Sequence, residues 1–269
     1  MRSTTFRVTG HFGEWLQGRL GMNGPVVLVT LPCKALTVTV QRAGDGAFSL
    51  GQSHPAVIDP GQAAAMIREL GQGASGQFDI AADMPPGGGA GASTAGLVAL
   101  AQALGVTDPQ RIAKACIAAE GASDPLMFDH PDRMLWASRQ GHSLSDLPTL
   151  PSFEIVGGFL GPPQRTDPSE HDFPDIGDLV QDWAPAAARQ DRERLAQLAS
   201  ESAQRTTVLR GPTDDETASL ARHWSALGHI RAHTGSARGL VFAPGHVPVG
   251  LAAQLSDRGY RHVFQFSTG

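Results

Sequence analysis

Residues 78–101, FDIAADMPPGGGAGASTAGLVALA, constrain this chain more than any other stretch. Phe78, Ile80 and Ala82 recur at every second position, which reads as a short half-buried strand. A loop of Pro85, Pro86, Gly87, Gly88, Gly89, Ala90 and Gly91 follows, and Ala92, Ser93, Thr94 and Ala95 lead into a run of helix formers ending near residue 104. Glycines carry no Cβ, so their backbone N–H groups can come close to phosphate oxygens. Ser93 or Thr94 is expected to cap the helix, whose N-terminus carries partial positive charge. Strand, glycine loop and hydroxyl-led helix together predict a grip on the phosphates of a nucleotide by residues 85–95.

Rival glycine loops fit less well. A P-loop ends in Gly-Lys-Ser/Thr, and the only lysines here are Lys34 and Lys114. A dinucleotide fingerprint is half met by Gly87, Gly89 and Ala92, but Pro85 and Pro86 spoil the tight strand-to-helix turn it needs. A nucleophile elbow is nearly met by Gly91-Ala92-Ser93-Thr94-Ala95, with Ala95 where the second glycine belongs. A plain flexible linker is the bland alternative, and the helix that follows at once argues against it.

At 269 residues the chain is long enough for one large domain or two small ones with a real core. Net charge −5 and the lack of a basic stripe argue against nucleic-acid binding. No apolar run approaches a membrane span and the N-terminus has no apolar leader core, so a cytoplasmic protein is expected. Cys33 and Cys116 lie in apolar surroundings and read as buried free thiols, not metal ligands.

Along the chain, residues 5–8 read as a strand, followed by the glycine-punctuated segment 9–18 with Glu14 at its centre. Segments 25–31 and 35–40 are β-branched runs separated by Pro32 and Lys34, expected to be neighbouring strands. A turn and strand are expected over 44–54 and a helix over 61–70. Asp108 and Pro109 predict the start of a helix that ends at Gly121, with a loop of three carboxylates, Glu120, Asp124 and Asp129, after it. Residues 142–151 are polar and proline-punctuated, a candidate boundary between residues 1–150 and 151–269. A strand over 153–159 precedes helices over 175–184 and 186–209, divided at Pro185, and another over 215–227. Strands over 229–233 and 238–243 flank the turn Thr234-Gly235-Ser236-Ala237, and a helix over 247–257 and a strand over 260–266 close the chain. The order predicts an α+β sandwich with mostly antiparallel sheets.

Phosphoryl transfer needs a phosphate cradle, a metal and a group that handles the acceptor hydroxyl. Ser93 and Glu120 are candidate Mg²⁺ ligands, since Mg²⁺ takes one or two protein oxygens beside phosphates and water. A glutamate at a helix C-terminus opposes the dipole unless something positive lies nearby, which favours a ligand role for Glu120. Asp124 is a candidate acceptor of the substrate proton, or else a turn starter before Pro125. Asp129, His130 and Asp132 read as turn or surface residues.

Four segments in sequence order resemble the GHMP kinases. The loop Pro85-x-Gly87-x-Gly89-x-Gly91-x-Ser93 is similar to that family's phosphate-binding loop, and its GASTAG ending looks most like the branch of L-threonine kinases of cobalamin synthesis. The segments Phe12-Gly13-Glu14-Trp15-Leu16-Gln17-Gly18, Glu120 to Phe128, and Ala232-His233-Thr234-Gly235-Ser236-Ala237-Arg238-Gly239-Leu240 resemble three further motifs of that branch. The resemblance implies a two-domain GHMP fold, with a nucleotide-binding domain over 1–150 and an α+β domain over 151–269. It implies an ATP- and Mg²⁺-dependent kinase acting on the hydroxyl of an amino acid, L-threonine first. Homoserine kinase, another GHMP metabolite kinase, or a non-catalytic nucleotide-binding relative stay open beside it. By resemblance Ser93 and Glu120 bind magnesium and Asp124 acts on the acceptor hydroxyl. Glu14, Gln17, His233, Thr234, Gly235 and Ser236 lie at the substrate or phosphates. The chain differs from the branch at Phe12, where it has cysteine, at Ala92, where it has serine, and at Gly96, where it carries an acid. The expected partner is a small molecule, with homodimer formation an open arrangement.

Overall fold

A computed structural model of the chain describes residues 4–73, 75–165, 167 and 169–269. Its frame is an antiparallel pair of long strands, β1 (Thr5–Arg19) and β2 (Val26–Ala47). The glycine-punctuated segment is therefore part of a strand. Register shifts at Thr9/Gly10, His11/Glu14 and Glu14/Leu16 absorb its irregularity, and Gly13 takes φ +69°. The two runs expected as separate strands are one: pairing passes from Thr9↔Thr37 to Gly10↔Cys33, so residues 34–36 bulge out beside Pro32. A bulge is where a strand tolerates the missing N–H of proline.

Outward from this pair lie β4 (Ser75–Ala82) and the parallel edge strand β3 (Ser49–Gln52). A hairpin of β5 (Met134–Ala137) and β6 (His142–Asp146) branches from β2. The sequence reading had a polar boundary where β6 lies. Every residue of β6 is exposed, so it shows no apolar alternation to read. On the other side run β8 (Gly228–Arg231), β9 (Ala237–Phe242), β7 (Glu154–Phe159) and β10 (Arg261–Ser267), antiparallel to one another. One residue pair, Glu14↔Arg231, joins this group to β1. The mostly antiparallel α+β architecture is the one expected.

The helices are α1 (Pro60–Leu70), α2 (Ala92–Ala103), α3 (Pro109–Glu120), α4 (Gly177–Ala188), α5 (Arg192–Arg210), α6 (Thr217–His223) and α7 (Leu251–Asp257). Asp108 caps α3 through the N–H groups of Gln110 and Arg111, and Gly121 ends it in the left-handed region, as expected. The division expected at Pro185 falls later: Pro185 lies inside α4, and Asp191 starts α5 by accepting from the Arg194 N–H. Helix α6 is shorter than expected, because Asp215 turns inward to Arg238. Helix α2 is buried on every side, which suits its run of alanine, glycine and leucine. It packs on β1 and β2, and Gly96 faces Val57 and Ile58, whose Cγ1 atoms would each lie 3.0 Å from a Cβ there. A side chain at position 96, such as the acid that the resemblance carries there, would press on these apolar groups and not on the cleft. Among the described residues, no helix is long and apolar enough to cross a membrane. Cys33 and Cys116 are buried free thiols.

Candidate active site

The glycine loop is fixed by its carbonyls. Gly87 O accepts from Gln164 N (2.8 Å), Gly88 O from Ser236 N and Ala237 N (2.9 and 2.8 Å), Gly89 O from Gly13 N (3.1 Å) and Ala90 O from His11 N (3.1 Å). The N–H groups of residues 89–94 find no acceptor among the described residues. Gly87, Gly89 and Gly91 have φ of +77°, +77° and +71°, alternating with residues of ordinary φ. Alternation of this kind turns successive N–H groups to one side and makes a concave anion site. A side chain at Gly89 would strike Ala232 Cβ at 2.3 Å and Thr234 O at 2.6 Å, and one at Gly235 would strike Gly89 N at 2.5 Å. The turn between β8 and β9 is thus locked against the loop by two glycines.

The cap of α2 departs from expectation. Its N-cap is Gly91 in the left-handed region, with no side-chain cap, and Ser93 and Thr94 stand in the first turn. Their hydroxyls are spent on side chains instead. Thr94 Oγ1 donates to Glu120 Oε2 (2.9 Å), and Gln62 Nε2 donates to Ser93 Oγ (3.3 Å) and Glu120 Oε1 (3.2 Å). Glu120 ends α3 against the N-terminus of α2, which supplies the positive end that its own helix lacks. Burial raises its carboxyl to about 7, against the pull of the Ser93 and Thr94 hydrogen bonds. Gln62 was not singled out from sequence. It is the third residue of a capping box whose N-cap, Asp59, also lines the site.

These groups surround a cleft of about 580 Å³. Pro86, Gly87, Gly89 to Thr94, Glu120, Asp124, Glu14, Gln17, His233 and Thr234 line it. Pro85, Gly88, Ala95, Gly235 and Ser236 lie outside its lining and act behind it, Gly88 donating to Pro85 O, Ala95 to Gly91 O. Asp129 does not line it. Arg139, Arg165 and Phe173 do, and none was expected there. Arg165 lies near enough to Glu120 to favour its charged form.

At one end His11 stands between two acids, with Nε2 3.2 Å from Asp124 Oδ2 and Nδ1 3.3 Å from Glu14 Oε1. Burial alone would lower the imidazole's pKa, but Glu14, Asp124 and Gly13 O outweigh it and bring it up to about 9. Burial pushes Glu14 up to about 8, against the pull of His11. The upward direction for His11 rests on its direct bond to Asp124. Glu14 Oε2 is buried and has no partner among the described residues. The loop carrying Asp124 is held by Trp136 Nε1, which donates to Ser123 O (2.8 Å), and by Ser123 N, which donates to Ser138 O (2.8 Å). Both partners belong to the β5–β6 hairpin region that the sequence did not reveal.

At the other end His233 lies flat on Phe173, ring centroids 4.3 Å apart and planes 7° from parallel. Arg210 Nε donates to its Nε2 at 2.7 Å, so Nε2 is the acceptor and Nδ1 carries the proton. Burial first, then Arg210, Arg231 and Arg139, lowers its pKa to about 3. This buried histidine is neutral, and its Nδ1–H has no acceptor among the described residues. Phe12, the departure from the cysteine of the resembling branch, points the other way from His11. Its ring meets Phe159, Phe264 and Phe266 edge-on at 5.2–5.8 Å, in space left by Gly157 and Gly239.

No protein-family model matches the sequence, and no curated protein matches it. Solved structures do. Mevalonate kinase from methicillin-resistant Staphylococcus aureus matches with TM-score 0.66 at 15% identity, over 99% of this chain and 99% of that one. Streptococcus pneumoniae phosphomevalonate kinase matches with TM-score 0.67 at 13% identity, over 100% and 99%. Homoserine kinase from Cytophaga hutchinsonii matches with TM-score 0.57 at 14% identity, over 98% and 93%. The fold of this chain is the GHMP-kinase fold.

Proposed function

We propose that the chain is an ATP-dependent kinase that transfers the γ-phosphoryl group to the hydroxyl of a small molecule, and that this acceptor is L-threonine, giving O-phospho-L-threonine. The observation that carries the reading is the row of acceptor-free amides over residues 89–94, opening into the same cleft as Glu120 and Asp124. Those amides, at the positive end of α2, suit the phosphates of ATP. Ser93 Oγ and the Glu120 carboxylate are oxygen donors of the kind Mg²⁺ takes, so the residues present fit that ion. When bound there, Mg²⁺ neutralises charge on the phosphate oxygens.

The chain's own residues do the rest. Residues 85–95 hold the phosphates, and Glu14, Gln17, His233 and Thr234 hold the acceptor, with Gly235 and Ser236 fixing the loop behind it. Asp124 accepts the hydroxyl proton as the acceptor oxygen bonds to the γ-phosphorus. The bond from that phosphorus to the bridging oxygen breaks, and ADP leaves with the electron pair. In this reading residues 1–150 are the nucleotide-binding domain and 151–269 the second domain. A second reading takes homoserine as the acceptor, favoured by the homoserine kinases among the structural neighbours.

A coupled ADP-release assay with L-threonine, L-homoserine and L-serine tests both. Mg²⁺-dependent release with threonine foremost is the expected result. Release with homoserine alone moves the assignment to the second reading. No release with any of the three, and no ATP binding by calorimetry, refutes the kinase reading.

A further inference from the structure

Resting on the kinase reading above, we propose that His11 is a positioning residue of the transfer site. Its imidazole binds one oxygen of Asp124 and thereby aims the other at the acceptor. His11 is 4% exposed and lines the cleft. Its backbone N–H bonds Ala90 O, so the residue is anchored to the glycine loop. Its Nδ1 lies 3.1 Å from Gly13 O; a carbonyl only accepts, so Nδ1 carries a proton. Its Nε2 lies 3.2 Å from Asp124 Oδ2, while Asp124 Oδ1 has no partner among the described residues.

The space for the ring is made by sequence. A Cβ at Gly91 would lie 2.4 Å from His11 Cδ2 and 2.7 Å from Nε2. The third glycine of the loop therefore serves two ends, turning the chain at φ +71° and admitting the imidazole beside the phosphate site. The charged groups facing the ring are Glu14 from β1 and Asp124 from the loop after α3; the glycine loop and Leu126 bring none. An imidazolium facing the buried Glu14 and the half-buried Asp124 favours the charged form of each acid. A carboxylate held at one oxygen has one remaining direction in which to accept a proton. Misplacement of a reacting group by about 1 Å costs roughly 100-fold in rate.

The test compares wild type, His11→Ala and His11→Gln. Glutamine can still donate from an amide nitrogen near the place of Nε2. ADP release is measured against acceptor concentration and pH, and ATP affinity by calorimetry without acceptor. We expect kcat of His11→Ala to fall about 100-fold with ATP affinity unchanged, and His11→Gln to recover most of it. Wild-type kcat should decline above about pH 9, as the imidazolium is lost, and His11→Gln should lack that decline. Wild-type turnover in His11→Ala overturns the proposal. So does a folded His11→Gln as inactive as His11→Ala, or equal loss of kcat and ATP affinity. If His11→Ala does not fold, the rate and pH profile of His11→Gln decide alone. A wild type without ADP release marks instead the failure of the kinase reading, and the positioning role goes with it.

Discussion

Replacing Gly89 by alanine separates two costs that the structure predicts independently. The first is conformational: Gly89 has φ +77°, and an L-residue in the left-handed region costs about 1–2 kcal/mol. The second is steric. The new methyl would lie 2.3 Å from Ala232 Cβ and 2.6 Å from Thr234 O, and the oxygen is backbone that cannot swing away. Overpacking of that kind costs about 1–3 kcal/mol more. Gly105→Ala is the control, since Gly105 has φ +87° and nothing within 4 Å of its added Cβ. With about 2.1 cal/mol/K of unfolding entropy per residue, 269 residues give roughly 0.6 kcal/mol per kelvin, so 1 kcal/mol moves Tm by about 2 °C. Gly105→Ala should lower Tm by about 2–4 °C and Gly89→Ala by about 4–9 °C, measured by calorimetry at one scan rate. Only Gly89→Ala should also weaken ATP binding. Equal melting of the two variants refutes the claim that the β8–β9 turn is pressed against the glycine loop.

The acidic cluster predicts a pH dependence of the unliganded protein. Glu14, Glu120 and His11 all have folded pKa values above their ordinary ones, so the native state holds extra protons and their contribution is lost as pH rises. His229 and His233, held neutral in the fold with pKa values of about 4 and about 3, work the other way and offset the two glutamates below about pH 6.5. Tm should therefore fall between about pH 6.5 and pH 9 in Mg²⁺-free buffer, and less so in Glu120→Gln up to pH 7; a flat or rising Tm across that range contradicts this. Glu120→Gln should also lower kcat by about 10–100-fold at fixed Mg²⁺ and raise the Mg²⁺ concentration needed for half-maximal ADP release, and an unchanged Mg²⁺ requirement removes Glu120 from the metal site. Behind the β8–β9 turn, the Asp215 carboxylate is buried against Arg238 Nε at 2.8 Å and Arg231 Nη1 at 3.9 Å. Asp215→Ala strands both guanidinium groups and should cost about 3–5 kcal/mol in urea denaturation, where a loss under 1 kcal/mol argues that water reaches the pair.

Much of the local structure was legible because its causes are local. Asp108-Pro109 and Gly121 bound α3 by groups within one turn of helix, and those signals read correctly. The succession of strand, glycine loop and helix was legible because period-two apolar residues and a glycine run before helix formers are local signals. Position 91 shows the limit: the hydroxyls of Ser93 and Thr94 looked like caps, but Glu120, brought in by α3, took one of them. The β6 strand was missed because no face of it is buried, and buried faces are what periodicity reports.

By itself the sequence determined the strand, glycine loop and helix over residues 75–103 and the two ends of α3. Only tertiary structure decided that His11 meets Asp124, 113 residues away, that Gln62 reaches Ser93 and Glu120, and that Gly96 faces Ile58 rather than the cleft. The reason is range. A turn or a cap is set by bonds among a few neighbouring residues, whereas a contact between distant side chains exists only after the sheet register and the helix packing have been chosen, and no short pattern encodes that choice.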